Sequence, residues 1–128
     1  MSSILIIEDD ASLLELYKFK FEFEKFKVST ASNGQEGIDK IKKLKPDIVL
    51  LDLFMSKMTG FDVLKLARSD PEIKNTPIIV LTNVSIDIED LLKNWGATDC
   101  MLKASSTPDD VLQKVNHYIK NNTTPSQP

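Results

Sequence analysis

Short runs of consecutive apolar residues recur along the chain and predict β-strands. They occupy residues 4–7, 28–31, 48–51, 78–81 and 100–102. Three of the runs have four consecutive apolar residues, which is typical of parallel strands covered on both faces rather than of a one-sided antiparallel sheet. The pattern therefore predicts five strands in a central parallel sheet.

The segments between these runs repeat apolar residues at helical spacing. Residues 34–44, 60–68 and 86–95 each place apolar side chains on one side, as an amphipathic helix does. The last helix has a clear start, with Thr107 as its N-cap and Pro108 at the first helical position. We expect it to end near Asn121.

The segment after the first run carries two competing patterns. Phe19, Phe21 and Phe23 alternate with charged residues, as they would in a strand. Asp10 or Ser12 can instead cap a helix. The residues that would form the apolar arc of this helix are Leu13, Leu16, Tyr17 and Phe21. We predict the helix, on which Phe19 and Phe23 fall at the flank of the arc.

Strict alternation of strand and helix predicts an α/β fold, with a doubly wound parallel sheet and right-handed crossovers. A chain of 128 residues fits one domain, and a hydrophobic content of 41% is enough to give that domain a core. We assign the domain to residues 1–121. Residues 122–128 lack apolar periodicity and are expected to be a disordered tail or a linker stub.

Charge and composition exclude several classes of function. The 16 basic residues against 19 acidic residues give a net charge of −3, which argues against direct binding of nucleic acid. No apolar run approaches the ~20 residues of a membrane helix, and the N-terminus lacks the basic region of a secretion signal. The single cysteine, Cys100, agrees with a reducing compartment. We expect a cytoplasmic protein without a membrane segment.

Polar or charged residues follow four of the predicted strands. They are Glu8, Asp9 and Asp10 after the first strand, Asp52 after the third, Thr82 after the fourth and Lys103 after the fifth. In an open parallel sheet, ligands bind beyond the carboxyl ends of the strands. Helix capping is a sufficient role for Asp10. It does not account for Asp52, which stands between apolar residues and would be partly desolvated beside other acids.

Such a grouping predicts a bound cation and phosphoryl chemistry. Carboxylates with nearby water suit Mg²⁺, which prefers a few carboxylates, water and substrate phosphate over a full protein cage. A hydroxyl at Thr82 and an ammonium at Lys103 supply a hydrogen-bond donor and a positive charge to a phosphoryl group. Aspartate can accept a phosphoryl group covalently, and positioning with charge neutralisation supplies most of the catalysis. The pattern thus indicates phosphoryl transfer to a carboxylate.

At these residues the sequence resembles the receiver domain of two-component response regulators. The resemblance covers residues 3 to about 120 and depends on five motifs in a specific order. The motifs are Ile4-Leu-Ile-Ile-Glu-Asp-Asp, Asn33-Gly34, Pro46-Asp-Ile-Val-Leu-Leu-Asp52, Gly60-Phe61, and Val80-Leu-Thr82 followed by Gly96-Ala97 and Lys103. Each motif alone is weak, whereas the set in this order and spacing is highly specific.

The resemblance implies a fold and a role for each site residue. The fold is a five-stranded (βα)5 flavodoxin-like sheet of strand order 2-1-3-4-5. Asp52 would be the phosphoacceptor, Thr82 the switch hydroxyl and Lys103 the cation that pairs with the phosphate. The ligands implied for Mg²⁺ are Glu8, Asp9, Asp52 and the backbone carbonyl of Phe54.

The resemblance also implies partners and a mode of action. The phosphoryl group would come from a sensor histidine kinase or a histidine phosphotransfer protein, and phosphorylation would switch contacts with an unidentified output protein. The domain would catalyse only its own phosphorylation and slow dephosphorylation, so it is not an ordinary enzyme. We expect a monomer or a weak, phosphorylation-dependent dimer. The chain would be a stand-alone receiver or the front end of a longer regulator.

Several positions of the site depart from the family pattern. Asn83 replaces a small residue after the switch hydroxyl, so its amide would crowd the site or add a donor. Cys100 replaces an aromatic residue that normally moves with the switch hydroxyl, so that coupling cannot operate in its usual form. Ala104 replaces the proline of a cis bond, and cis bonds to other residues cost ~3 kcal/mol. We therefore expect a trans bond and a less tightly aimed Lys103.

Two apolar residues affect the expected lifetime of the aspartyl phosphate. Phe54 and Val84 occupy the positions that flank the path of the hydrolytic water in the family. Their side chains cannot orient that water, so we expect a long-lived aspartyl phosphate.

Phe19 and Phe23 have two interpretations of equal weight. The apolar arc of the first helix is wider than one sheet face can cover, so the two rings either dock a kinase or phosphotransfer helix or belong to the core.

Other function classes are compatible with parts of the pattern. A pseudo-receiver would bind partners without phosphorylation, and the departures favour it, although Asp9, Asp52, Thr82 and Lys103 are intact. A hydrolase of the haloacid dehalogenase type would need a second Asp where Phe54 stands. A flavin carrier of the same fold would need a phosphate loop without the acids that follow the first strand.

Overall fold

A five-stranded parallel sheet forms the centre of the molecule in the computed structural model, which describes residues 1–83 and 86–123. The strands are β1 (Ser3–Ile7), β2 (Lys27–Ala31), β3 (Ile48–Asp52), β4 (Ile78–Thr82) and β5 (Asp99–Leu102). Neighbouring strands pair in parallel in the order β2-β1-β3-β4-β5. The predicted fold class and strand order are confirmed.

Five α-helices connect and follow the strands. They are α1 (Ala11–Phe23), α2 (Gly34–Leu44), α3 (Gly60–Ser69), α4 (Ile88–Asn94) and α5 (Pro108–Thr123). Helix α4 is shorter than the predicted span 86–95, whereas α5 runs two residues beyond its predicted end near Asn121. Residues 124–128 lie outside the described residues, so the disordered tail or linker stub stays a prediction.

Helix α1 forms where the sequence patterns compete. Asp10 caps it, because its Oδ1 accepts hydrogen bonds from the N–H groups of Ser12 and Leu13 at 3.0 and 3.1 Å. Tyr17 and Phe21 are buried as predicted. The expectation that Leu16 shares their arc is wrong, since Leu16 is 47% exposed. At 100° per residue, Leu16 lies well away from the direction that Tyr17 and Phe21 face.

The sheet is covered on both faces, which explains the uninterrupted apolar runs. In β1, Leu5 and Ile7 join the cluster beneath α2, α3 and α4, while Ile4 and Ile6 join the cluster beneath α1 and α5. Successive strand residues point to opposite faces, so both faces must be apolar when both are covered. Full burial of one such side chain stabilises the fold by about 1.5–3 kcal/mol.

The start of α3 holds the segment that follows β3 close to the sheet. Thr59 and Asp62 form a reciprocal capping box, and the Gly60 N–H donates to the Leu53 carbonyl at 2.8 Å. A Cβ on Gly60 would lie 2.6 Å from the carbonyl oxygen of Asp52, too close for any other residue type without a shift. Gly60 thus allows α3 to begin directly against the end of β3.

None of the helices described in residues 1–83 and 86–123 is long and apolar enough to cross a membrane.

Candidate functional site

Three carboxylates converge at the carboxyl ends of the central strands. Glu8 and Asp9 lie in the turn between β1 and α1, and Asp52 is the last residue of the neighbouring strand β3. Each offers a carboxylate oxygen, and these oxygens lie within 4.8 Å of one another. The structure therefore brings together the three acids that the sequence interpretation selected as metal ligands.

Lys103 follows β5 and reaches across the sheet to two of these acids. Its Nζ lies 2.7 Å from Glu8 Oε1 and 3.3 Å from Asp52 Oδ1. The peptide bond to Ala104 is trans, as predicted, and residues Lys103–Ser105 form a short 3-10 turn. The flexible four-carbon stem brings the Lys103 ammonium to the acids without a cis bond, and a less tight aim than in relatives with the proline stays a prediction.

The four charged groups differ in their access to water. Glu8 and Asp52 are buried, Asp9 is exposed, and the Lys103 side chain is 11% exposed. Burial, followed by the charge of Glu8, raises the pKa of Asp52 from 3.8 to about 6, even though Lys103 acts in the opposite direction. Burial opposes the charge of Lys103, yet the contacts with Glu8 and Asp52 raise its pKa above the usual 10.5. Negative charge at Asp52 is thus only partly compensated.

Backbone N–H groups hold the acids in place, and the sequence interpretation missed them. The N–H of Asp10 donates to Glu8 Oε2 at 3.1 Å, and that of Ser56 donates to Asp9 Oδ2 at 3.4 Å. A third N–H, from Phe54, donates to Asp52 Oδ1 at 3.4 Å. Backbone donors are common to all residues except proline, so no side-chain pattern could have revealed them.

Tyr17 is a further residue that the sequence interpretation assigned to the core alone. It is buried on α1 and lies near enough to Lys103 and Glu8 for both charges to act on its hydroxyl. Burial is the main reason that its pKa is raised above 10.0. The apolar arc of α1 identified Tyr17 as buried, but its distance from the acids depends on how α1 packs.

Thr82 ends β4, the strand next to β3, and is fully buried. Asn83, which follows it, is exposed. Cys100 on β5 is half-buried against the cluster beneath α2, α3 and α4, and burial raises the pKa of its thiol above 9.0.

Three aromatic rings connect the segment after β3 with the start of α3 and the end of α4. Phe54 is 50% exposed, and its ring meets that of Phe61 edge to face with centroids 6.1 Å apart. Phe61 in turn meets Trp95, at the end of α4, with centroids 4.9 Å apart. Val84, the other residue predicted to flank the water path, lies outside the described residues.

The arrangement supplies the parts that phosphoryl transfer to a carboxylate needs. It has a buried acid, two further acids for a hard cation, a hydroxyl and an ammonium at adjacent strand ends. Charge neutralisation and positioning account for most of the rate of such transfers.

Comparisons with known proteins agree with this chemistry. The sequence profile of the response regulator receiver domain matches residues 4–116. The transcriptional regulatory protein CpxR homolog of Haemophilus influenzae is 33% identical over 127 residues, which cover 98% of this chain and 54% of that protein. This chain spans about half the length of the curated relatives it matches.

Two solved structures share the whole architecture. Chemotaxis protein CheY4 of Vibrio cholerae superposes with a TM-score of 0.84 at 28% identity, covering 92% of this chain and 98% of that chain. The Francisella response regulator 1452 receiver domain superposes with a TM-score of 0.85 at 25% identity, covering 96% and 100%.

Proposed function

Since the chain belongs to the family of response regulator receiver domains, we propose that it accepts a phosphoryl group on Asp52 and thereby switches its protein contacts. The observation that carries this proposal is the convergence of Glu8, Asp9 and Asp52 within 4.8 Å, with the Lys103 ammonium 3.3 Å from Asp52. Surface acids alone are common, whereas a buried acceptor with its own cation and hydroxyl is what phosphoryl transfer requires.

The proposed donor is a phosphohistidine on a sensor histidine kinase or a histidine phosphotransfer protein. A carboxylate oxygen of Asp52 forms the new O–P bond. The P–N bond to the imidazole breaks, and its electron pair stays on that nitrogen, which takes up a proton. With a pKa of about 6 the Asp52 carboxyl is largely ionised at neutral pH, so the attack needs no separate base.

Lys103 and Thr82 are placed to hold the transferred group. The ammonium already lies beside Asp52 Oδ1, so it can pair with one oxygen of the phosphoryl group. The Thr82 hydroxyl, at the end of the adjacent strand, can donate to another oxygen. Both interactions are stronger in a partly desolvated site than in water.

The donor set fits Mg²⁺. Glu8, Asp9 and Asp52 supply hard oxygen ligands, and the Phe54 carbonyl would add a fourth. Burial, and after it the charge of Glu8, raises the pKa of Asp52, and a divalent cation would stabilise the ionised carboxylate against both. When bound, Mg²⁺ neutralises charge on the phosphoryl oxygens during transfer.

Phosphorylation would change the surface formed by α4, β5 and α5. The phosphoryl group adds negative charge at the end of β3, and we expect Lys103 and Thr82 to shift toward it. Cys100 supplies no ring on β5 to follow the movement of Thr82. The proposal includes an output protein that binds this surface and a weak dimer of the phosphorylated form.

The exposed rings of α1 support a docking role toward the phosphodonor. Phe19 and Phe23 are each 71% exposed, and they stack on each other with centroids 6.5 Å apart. The alternative of core packing is therefore wrong. Because α1 starts at Asp10, directly beside the acid cluster, a donor helix laid along α1 would bring its histidine to Asp52.

Intact mass spectrometry after incubation with Mg²⁺ and acetyl phosphate tests the acceptor role. We expect one phosphoryl adduct on the wild type and none after EDTA treatment or in Asp52→Asn. Asp10→Asn is the matched control, because Asp10 caps α1 and its loss should leave the adduct in place. If neither acetyl phosphate nor a broad panel of phosphorylated kinases gives an adduct, the pseudo-receiver alternative replaces the proposal.

The lifetime of the adduct tests the role of Phe54. An apolar ring cannot orient the attacking water, so Phe54→Asn should shorten the half-life of the phosphoprotein. A half-life that stays the same in this variant would contradict the assignment.

A further inference from the structure

A groove lies between α3 and α4 at the end of the sheet opposite the acid cluster. Its volume is about 680 Å³, within the range typical of small-molecule sites. The groove is open to solvent. Ser69 and Asn94, the last residues of α3 and α4, line it. The groove thus belongs to the amino ends of β4 and β5, away from Asp52.

The lining of this groove is cationic in a protein of net charge −3. Lys65 and Arg68 come from α3 and Lys93 from α4, and none of the described residues that line the groove is acidic. Lys93 also pairs with Glu89 at 2.9 Å, but both side chains are more than 70% exposed. Exposed pairs of this kind contribute little and break readily, so Lys93 remains available to a ligand.

Arg68 gives the groove a fixed positive charge. Its Nε donates to the Gly96 carbonyl at 2.7 Å, and its Nη1 donates to the carbonyls of Lys74 and Thr76 at 3.0 and 2.8 Å. Within residues 1–83 and 86–123, no carboxylate forms an ion pair with it. Carbonyl dipoles hold the guanidinium in place without cancelling its charge, so the wall attracts anions.

Trp95 supplies a flat apolar surface beside these cations. Trp95 lines the groove, and its ring meets that of Phe61 edge to face with centroids 4.9 Å apart. A ring fixed in this way is preorganised for stacking against another flat ring.

We propose that the groove binds a small organic anion that carries a flat ring, of the nucleotide class. The phosphate pairs with Lys65, Arg68 and Lys93, and the base lies against Trp95. The site is separate from the acceptor and does not require phosphorylation of Asp52.

Titration of the full chain with AMP in EDTA, followed by NMR, tests the proposal. The indole N–H of Trp95 is a unique reporter because the chain has one tryptophan, and EDTA prevents a magnesium–nucleotide complex from occupying the acid cluster. We expect a saturating shift with a Kd below about 1 mM. Adenosine and ribose 5-phosphate should each bind at least about tenfold more weakly, because each lacks one half of the recognition.

Charge reversal locates the site. Lys65→Glu and Lys93→Glu should each weaken AMP binding about tenfold or more. The matched control is Lys43→Glu, which reverses an exposed charge on α2 and should leave the affinity unchanged. Arg68 is left intact because its hydrogen bonds also hold the fold.

The outcomes separate this proposal from the acceptor role. No shift of Trp95 at 10 mM AMP, or unchanged binding in both charge-reversal variants, would overturn it. Equal binding of ribose 5-phosphate and AMP would overturn the role of Trp95. Asp52→Asn should bind AMP as the wild type does, and Lys65→Glu should still accept a phosphoryl group from acetyl phosphate, so either function can fail alone.

Discussion

The two ends of the sheet both hold partly buried charge, but they satisfy it in different ways. At the carboxyl ends, Glu8 and Asp52 lie side by side and share the single ammonium of Lys103. At the amino ends, Arg68 is held by neutral backbone carbonyls. The neighbouring carboxylates make the carboxyl ends of the sheet sensitive to pH and cations. At the amino ends, the guanidinium of Arg68 stays charged over the ordinary pH range.

The two ends therefore differ in function: the charge of Asp52 can change, whereas that of Arg68 stays constant. Asp52 is held in an environment that disfavours its charge, and its pKa of about 6 reports the cost. Arg68 joins α3 to the segments that precede β4 and β5, and its charge does not depend on a partner that titrates. Perturbed acids are typical of functional sites, whereas the hydrogen bonds of Arg68 also hold the fold together.

The largest expected effect on stability is at Arg68. Arg68→Leu removes hydrogen bonds to the carbonyls of Gly96, Lys74 and Thr76 and should lower the free energy of unfolding by about 3 kcal/mol. Urea denaturation measures the change. Lys65→Leu, one turn earlier and exposed, should stay within about 0.5 kcal/mol of the wild type. Equal stability of the two variants would contradict the role of Arg68 in holding α3 to the segments before β4 and β5.

Mg²⁺ bound at the acid cluster should raise the free energy of unfolding by nearly as much as Arg68→Leu lowers it. A ligand that binds only the folded state adds about 2.7 kcal/mol to the free energy of unfolding at 100 times its Kd. Asp9→Asn should remove most of this gain, and Asp10→Asn should keep it, because Asp10 caps α1 instead of joining the acid cluster. Thermal melts with Mg²⁺ and with EDTA make the comparison. The same response to Mg²⁺ in both variants would rule out the assigned ligand set.

Without Mg²⁺, Asp52→Asn should stabilise the protein at pH 8 by about 1–2 kcal/mol. The folded-state pKa of Asp52 is about 6 against 3.8 for an ordinary aspartate, so the folded chain binds more protons between these values. The stability of the wild type therefore falls as pH rises from about 4 to about 6. The advantage of the variant should be full above pH 7 and absent below pH 4.

Urea denaturation at both pH values in EDTA checks this result. Asp39→Asn, which replaces an exposed acid of α2, is the matched control and should show no such pH dependence. A loss of stability in Asp52→Asn at pH 8 would mean that its ion pair with Lys103 outweighs burial and the repulsion from Glu8.

The smallest effect on stability is expected on α1, at a surface that belongs to neither end. Phe19→Ser with Phe23→Ser should change the free energy of unfolding by less than about 0.5 kcal/mol, because both rings are 71% exposed and serine has a similar helix propensity. Phosphotransfer from a cognate donor should nevertheless slow. Unchanged transfer, with acetyl phosphate as the docking-independent control, would remove the docking role.

Local patterns predicted most of the fold. The apolar runs located all five strands because burial on both faces requires apolar residues on successive positions. Thr107 caps α5 as predicted, since its Oγ1 accepts from the Asp110 N–H at 3.1 Å. The least secure element was α1, where alternating phenylalanines imitate a strand. Phe19 and Phe23 lie on its exposed side, away from the arc on which the helical period placed Tyr17 and Phe21.

The candidate site was predictable for a related reason. Parallel strands end at one edge, so residues that follow separate strands must lie close together. Glu8, Asp9 and Asp52 illustrate this rule. The position of the Lys103 ammonium was not predictable, because it depends on a 3-10 turn and a flexible side chain. It does not depend on the proline that Ala104 replaces. The roles of these residues in phosphoryl transfer and a cytoplasmic location stay predictions.

The sequence by itself determined the order of elements, the two-sided core and the strand ends at which chemistry gathers, because periodicity and chain direction are local properties. Tertiary structure alone decided which partners Arg68 and Lys103 contact. Arg68 finds its acceptors at residues 74, 76 and 96, and Lys103 finds Glu8 at a separation of 95 residues. Such contacts depend on how α3 and β5 pack against the sheet, and electrostatic energy depends on distances and burial that only packing sets.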